Sequence, residues 1–120
     1  MINFQETSEF AKELKKLSKK YRTLGKDFYQ LKELYLVAAP QGNGSKHWNL
    51  LHKNDILEIY KVRMHCDSTK GKFFRVIYAY HLKTQTIELI EFIEIYYKGD
   101  KENENQERLK DYLKNFSHCE

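Results

Sequence analysis

Residues 56–66 read Ile-Leu-Glu-Ile-Tyr-Lys-Val-Arg-Met-His-Cys, and from Lys61 onward every second position carries a basic side chain. Side chains of a β-strand point alternately to its two faces, so Lys61, Arg63 and His65 share one face, about 6 to 7 Å apart. That spacing is near the spacing of phosphates along a nucleic-acid strand. The residues between them are apolar or aromatic. The stretch therefore predicts a strand with one cationic face and one face buried in a core.

Two further strands are predicted after this one. The stretch Phe73–His81 follows a hairpin-sized turn at Asp67–Gly71 and adds Arg75 to the cationic set. A third strand, Thr86–Tyr97, follows a second short turn at Leu82–Gln85. Its glutamates do not alternate strictly, which predicts a bulge or a partly covered face. Short turns between consecutive strands indicate an antiparallel meander.

Helices are predicted on both sides of the strands. Ser8 is placed to cap a first helix and Thr23 a second, which Pro40 ends. The apolar positions at helical spacing are Phe10, Leu14, Leu17 and Tyr21 in the first helix, and Leu24, Phe28, Leu31, Tyr35 and Ala38 in the second. The short connection between them indicates an antiparallel helical hairpin. Residues Asn105–Phe116 return to helical spacing and predict a C-terminal helix.

The segment Gln41–Lys46 contains Gly42 and Gly44 and has no periodicity. A Gly-x-Gly pair is a weak signal for a phosphate-binding loop, because such a loop also needs a preceding strand and a following Gly-Lys-Ser/Thr. The segment predicts a flexible loop.

The order of elements predicts an α+β fold of one domain over residues 1–120. We expect the N-terminal helical hairpin to pack on one face of a twisted antiparallel sheet of three to four strands, with a C-terminal helix. This arrangement has two layers and satisfies the burial needs of helices and sheet together.

Composition narrows the class of protein. The chain has 120 residues, 41% of them hydrophobic and 14% aromatic, which is typical of a globular domain. No apolar run approaches the roughly 20 residues needed to cross a bilayer, and the first residues lack a secretory pattern, so we expect a cytoplasmic protein without membrane contact. Cys66 and Cys119 lack the spacing of a zinc site, and no metal or cofactor is predicted.

Charge is unevenly distributed along the chain. The net charge is +4, with Lys and Arg in excess over residues 1–86 and Asp and Glu in excess over residues 87–120. A basic middle beside an acidic end indicates one face for a polyanion. A lysine-rich surface that only keeps a small domain soluble is the plain alternative.

Four stretches taken in order carry a resemblance to a known family. They are Phe10-Ala-Lys-Glu-Leu-Lys-Lys-Leu, Ile59-Tyr-Lys-Val-Arg, Phe74-Arg-Val-Ile-Tyr and Ile95-Tyr-Tyr-Lys-Gly-Asp-Lys101. In this order the chain resembles, over nearly its whole length, the RelE/ParE superfamily of bacterial toxins. The RelE-like members of that superfamily are ribosome-dependent mRNA endonucleases.

The resemblance implies a set of site residues. Lys61 and Arg63 match the two basic residues that face the RNA, and Arg75 matches the arginine of the next strand. Lys98 or Lys101 matches a basic residue after the last strand. Three residues compete for the role of a C-terminal tyrosine, namely Tyr96, Tyr97 and Tyr112. The partners implied are mRNA, the ribosome and a cognate antitoxin protein, in a type II toxin-antitoxin pair.

The chemistry that such a set supports is attack of an RNA 2′-hydroxyl on the adjacent phosphate, which needs a base, cations and an acid, and no metal. We expect Lys61 to be the base, with the neighbouring cations Arg63 and Arg75 favouring its neutral form and clamping the transition state. His65 is a second candidate for acid or base.

Other interpretations remain open at this point. Lys61 and Arg63 on the solvated side of an edge strand would have no site role. Arg75 lies between apolar residues and needs a partner, either a phosphate or a carboxylate such as Glu58. The competing functions are a ParE-like inhibitor of DNA gyrase that cleaves nothing, and a non-catalytic RNA-binding regulatory domain.

Overall fold

The structure, a computed structural model, describes residues 2–69, 72–82 and 88–117. The elements in chain order are β1 (Ile2–Glu6), α1 (Ser8–Lys20), α2 (Leu24–Gln30), a π-helical turn (Leu31–Leu36), β2 (Trp48–Lys53), β3 (Leu57–His65), β4 (Phe73–His81), β5 (Glu88–Tyr97) and α3 (Gln106–Ser117). The fold is α+β, as the order of sequence patterns predicts.

The strands form one five-stranded sheet in the order β1-β5-β4-β3-β2. The meander β3-β4-β5 is antiparallel, as predicted, and β2 adds to it on the β3 side. β1 pairs in parallel with β5, so the sheet is mixed. The prediction of a purely antiparallel sheet with three to four strands is wrong. The missed strand β1 does carry a signal, since Ile2 and Phe4 alternate with polar residues.

Helices cover both faces of the sheet, which makes three layers and not the predicted two. One core lies between the sheet and the N-terminal helices, where Phe10, Phe28 and Phe92 pack together. A second, smaller core lies between the other face and α3, and contains Ile59, Ile77, Ile93, Leu109 and Tyr112. The central residues of the strands are apolar on both faces of the sheet, so both faces must be covered.

The first two helices begin near the predicted caps. Thr7, one residue before the predicted cap Ser8, caps α1, and its side chain accepts a hydrogen bond from the backbone of Phe10 at 3.2 Å. Thr23 occupies the cap position of α2, but its hydroxyl donates to the Asp27 carboxylate at 2.8 Å instead of capping a backbone amide. Residue type therefore predicts the position of a helix cap more reliably than it predicts the capping hydrogen bond.

The π-helical turn changes which residues of the second helix are buried. Leu24, Phe28 and Leu31 are buried, as helical spacing predicts. Beyond Leu31 the backbone hydrogen bonds span five residues, as in the bond from Val37 to Lys32 at 3.1 Å. The extra residue in this turn advances the buried face by one position. Leu36 is buried in place of the predicted Tyr35, whose side chain is 54% exposed.

A bulge interrupts β5, as the spacing of its glutamates predicts. The register with β4 shifts at Ile77/Tyr78, where Glu94 is paired with Ile77 and Phe92 with Tyr78. The inserted residue brings Glu94 and Glu91, three positions apart, to the face that α3 covers. Glu91 accepts a hydrogen bond from Tyr112 of α3 at 2.7 Å.

Some predictions fall outside the described residues. They are the ends of both predicted strand turns, at 70–71 and 83–85, the predicted strand start at Thr86, the side chain of Phe116, and Cys119. The described part of the first turn, Asp67–Thr69, is a short 3-10 helix. The loop 41–46 is present, with both of its glycines at φ +83°. Among the described helices, none has the length and apolarity to cross a bilayer.

A buried histidine makes stability dependent on pH. His81 lies under α3, and its Nε2 is 2.8 Å from the hydroxyl of Tyr112, which itself donates to Glu91. Burial lowers the pKa of His81, and the charge of Glu91 offsets only part of that effect. The unfolded chain therefore binds a proton at higher pH than the folded chain does.

We expect the free energy of unfolding to be constant with respect to His81 above about pH 6.5. It should decrease as the pH drops toward 5, by at most about 1.4 kcal/mol per pH unit. Carboxylates with a lowered pKa, such as Glu58, make the free energy of unfolding depend on pH only below their ordinary pKa of 4.5. Urea unfolding measured at pH 7.5, 6.5 and 5.5 tests this. His81→Gln should flatten the curve, and His47→Gln, at an exposed position, should not. An unchanged slope in His81→Gln would contradict the prediction.

Candidate functional site

Three side chains form a row across three adjacent strands. Arg63 of β3 is paired directly with Arg75 of β4, and Arg75 is paired in turn with Tyr96 of β5. All three lie on the same face of the sheet as α3, because they alternate along their strands with residues that face the larger core on the opposite side. The prediction that Arg63 and Arg75 share a face is therefore confirmed. Two like charges directly opposite each other across a strand pair are destabilising unless something neutralises them.

Arg75 is the least satisfied group in this row. Its Nη1 atom is buried and has no hydrogen-bond partner among the described residues. Burial lowers the pKa of Arg75, and the charge of Arg63 lowers it further. Glu58, one of the partners considered from the sequence, lies on the opposite face and instead accepts hydrogen bonds from Tyr60 and Gln41. The other partner considered, a phosphate, fits a buried donor that the protein itself leaves open.

Tyr96 adds a second open donor beside Arg75. Its side chain is 6% exposed, and within the described ranges its hydroxyl has no hydrogen-bond partner. Burial raises the pKa of Tyr96 to about 12, with the charges of Glu104 and Glu94 adding to the effect. The phenol therefore stays neutral and keeps its O–H, which can donate to an anion.

Lys61 lies on the same face, in the next row, and is engaged by a carboxylate. Its Nζ is 2.9 Å from Oε1 of Glu104, and their side chains are only 16% and 8% exposed. Burial alone would raise the pKa of Glu104, but the hydrogen bond and charge of Lys61 outweigh it and the pKa is lowered. The Lys61 side chain is therefore held by Glu104 in a nearly buried ion pair.

The two lysines after the last strand are also engaged. Lys101 donates to the buried carboxylate of Glu94, and its Nζ lies 5.1 Å from the ring centroid of Tyr96. Lys98 donates to the backbone oxygen of Glu102 at 2.6 Å and is near the surface. Lys101 therefore borders the row at Tyr96, while Lys98 is held within its own turn.

His65 ends the cationic face of β3 and is oriented by an acid. Its Nε2 lies 3.2 Å from Oδ1 of Asp67, two residues along the chain. If Nε2 carries the proton on the side of this carboxylate, the lone pair on Nδ1 can accept another proton. A histidine base with a carboxylate beside its other ring nitrogen is a common catalytic arrangement.

The other two tyrosine candidates lie away from the row. Tyr97 points to the larger core, where its ring packs against Tyr21 and Phe74. The hydroxyl of Tyr112 lies beneath α3 with His81 and Glu91. Only Tyr96 has a hydroxyl beside the arginines, so the prediction that placed Tyr97 in the site is not supported by its position.

Sequence reasoning missed Glu104, Asp67 and Phe73. Phe73 is paired with His65, and its ring centroid lies 5.9 Å from the guanidinium carbon of Arg63. Its place follows from pairing β3 with β4 as a hairpin, which is a signal that the sequence does contain. Asp67 follows His65 closely and also carries a signal. Glu104 lies in an irregular segment before α3, and nothing in its local sequence indicates a contact with Lys61.

Comparison of the chain with protein-family models, with curated proteins and with solved structures gives no match. Interpretation of the site therefore rests on its geometry and charge.

An open buried donor predicts an unusual effect on stability. Replacing Arg75 with Met removes a desolvated guanidinium and its repulsion with Arg63, while keeping an unbranched apolar stem. We expect Arg75→Met to leave the free energy of unfolding unchanged or to raise it by about 1 kcal/mol. Chemical denaturation at pH 7.5 and low salt measures this.

The matched control is the same substitution at a satisfied arginine. Arg108 donates to both oxygens of Glu13, at 2.9 and 2.7 Å, and to the backbone oxygen of Ile93. Arg108→Met should lower the free energy of unfolding by about 1 to 3 kcal/mol. Equal losses in the two variants would show that Arg75 has a structural partner and is no open site.

Proposed function

We propose that this protein binds single-stranded RNA on the face formed by Arg63, Arg75 and Lys61 and cleaves it there, as a RelE-like toxin that inhibits translation. The observation that supports the proposal is the row Arg63-Arg75-Tyr96, with two arginines opposed and two buried donors open. A phosphate would neutralise the arginines and accept from both donors at once. Arginine is well suited to this task because its planar guanidinium donates to two phosphate oxygens together.

The cleavage proposed is an internal transfer within the RNA. The 2′-oxygen bonds to phosphorus as its proton passes to Nδ1 of His65, and the bond from phosphorus to the 5′-oxygen breaks. Arg63 and Arg75 stabilise the charge that grows on the phosphoryl oxygens. The leaving 5′-oxygen takes a proton from water or from the Tyr96 hydroxyl. The products are a 2′,3′-cyclic phosphate and a 5′-hydroxyl, and no metal enters the reaction.

The role of base passes in this proposal from Lys61 to His65. Lys61 is held by Glu104 in a nearly buried ion pair, while His65 is exposed and oriented by Asp67. Lys61 contributes positive charge at the edge of the phosphate site. Entry of an anion to Arg75 and Tyr96 requires the Lys101 side chain, which lies over the Tyr96 ring and is 38% exposed, to shift outward.

A translation-inhibiting nuclease requires a partner that restrains it. We propose a cytoplasmic setting and a cognate antitoxin, with mRNA on the ribosome as the target. Support for this part is the resemblance of the four sequence stretches to RelE-like toxins. The non-catalytic alternative has one observation in its favour, because the ion pair of Lys61 with Glu104 removes the base that the sequence favoured.

RNA binding should depend on salt and on Arg75. A 2′-O-methyl oligoribonucleotide of about eight nucleotides cannot be cleaved and serves as the probe. We expect its log Kd to rise with log salt, with a slope of roughly 0.7 for each phosphate contact. Arg75→Met should weaken binding and reduce the slope by about one contact. Fluorescence anisotropy at 50 to 300 mM KCl measures both.

The control removes the same charge from a different surface. Lys16 of α1 is exposed, and Lys16→Met should leave the slope nearly unchanged. Equal losses in Lys16→Met and Arg75→Met, or a flat salt response, would contradict binding at the arginine row.

Cleavage should separate from binding at His65. In an assay with unmodified RNA and ribosomes, we expect His65→Asn to lower the cleavage rate by at least 100-fold, because general-base catalysis contributes about that much. The loss of affinity for the 2′-O-methyl probe should be much smaller than the loss of cleavage rate. Product analysis should show the cyclic phosphate, and a single 2′-deoxy substitution at the cut site should stop cleavage there.

Outcomes against this proposal point to the alternatives. RNA binding without cleavage in any variant would favour the non-catalytic domain. Growth arrest on induced expression that persists in both His65→Asn and Arg75→Met would favour the gyrase inhibitor.

A further inference from the structure

A cleft of about 300 Å³ opens at the sheet edge next to the arginine row. β2 begins at Trp48, opposite Val62, so the last residues of β3 extend beyond it. The loop before β2 closes one side of the gap, where the His47 oxygen accepts from the Arg63 backbone at 3.0 Å. The π-helical turn closes another side. The volume is at the lower end of that of ligand sites, which suits one small planar group.

The cleft is lined by aromatic, aliphatic and polar residues, and the carboxylates of Asp27 and Asp67 are among them. Six of its lining residues are Tyr35, Trp48, Phe73, His47, Gln30 and Asn43. The Phe73 ring has three close neighbours, since the centroids of His47 and His65 lie 6.3 and 6.0 Å from its own and the Arg63 guanidinium lies over it at 5.9 Å. Aromatic and guanidinium planes are the surfaces on which unstacked RNA bases lie.

Two features of the structure position the side chains that line the cleft. The shift of one residue in the π-helical turn turns Tyr35 outward. The Trp48 side chain is fixed from below, because its Nε1 donates to the Tyr78 hydroxyl at 3.0 Å. Gly42 lies so close to the Trp48 ring that an added Cβ would be 2.8 Å from it, and its φ of +83° also favours glycine.

We propose that this cleft binds one unstacked nucleobase of the RNA strand whose phosphate lies on Arg63 and Arg75. This inference rests on the proposed RNA binding and names the part of the substrate that the protein recognises. Arg63 and His65 line the cleft and also belong to the cationic face, so a nucleotide next to the bound phosphate can reach it. Amide groups of Gln30 and Asn43 offer both donors and acceptors to the edge of a base.

Trp48 is the only tryptophan of the chain, so its fluorescence reports on the cleft. The probe is again the 2′-O-methyl octanucleotide, compared with a set in which one base at a time is replaced by an abasic residue. We expect the intact probe to quench Trp48, and one abasic position to lose the quenching and bind about tenfold more weakly. Tyr35→Leu should weaken the intact probe about tenfold and leave its salt slope unchanged.

The matched control is Tyr29→Leu. Tyr29 lies on α2, is 60% exposed and is not among the residues that line the cleft. The affinity of Tyr29→Leu for the intact probe should therefore change less than twofold. Salt-dependent binding with no quenching, no abasic effect and no loss in Tyr35→Leu would overturn the base site and leave RNA binding intact. A probe that does not bind at all overturns both proposals. Equal losses in Tyr29→Leu and Tyr35→Leu would overturn the base site.

Discussion

The opposed arginines Arg63 and Arg75 are the constraint on which the interpretation of this protein depends. A folded domain gains nothing in stability from two arginines at directly paired positions of adjacent strands, one of them with a buried open donor. Elsewhere in the described chain, the buried Glu94 and the half-buried Arg108 have close partners of opposite charge, Lys101 and Glu13. An arrangement that costs stability at one place and is avoided at others is typical of a binding site.

The fold holds this pair in place through the two cores of the sheet. The N-terminal helices fix the apolar face of β3 and β4, so the alternate residues, including both arginines, are turned to the opposite face. There α3 covers only the inner half, where Ile59 and Ile77 lie. Arg63 and Arg75 lie on the same face, two residues from Lys61 and Ile77 along their strands. The proposed phosphate site and the proposed base cleft therefore share Arg63.

Period-2 and period-3.6 patterns allowed most of the local structure to be predicted, because both report which residues face a core. The meander, the helices and the shared face of Arg63 and Arg75 follow from them. The buried face at the end of the second helix could not be predicted from them, because composition does not indicate a π-helical turn. This turn buries Leu36 in place of Tyr35. Nor did the pairing of Lys61 with Glu104, since it joins residues 43 positions apart through an irregular segment. Side-chain partners across layers depend on tertiary packing, which periodicity does not encode.

The central claim is that an RNA phosphate occupies the space between Arg63 and Arg75. The most direct measurement is a nuclear magnetic resonance titration of the arginine Nε–Hε signals with a non-cleavable RNA. The signals of Arg63 and Arg75 should shift most and at the same RNA concentration, while that of Arg108, held by Glu13, should stay in place. Shifts confined to backbone amides of the lysine-rich α1, with both arginine signals unmoved, would contradict the claim.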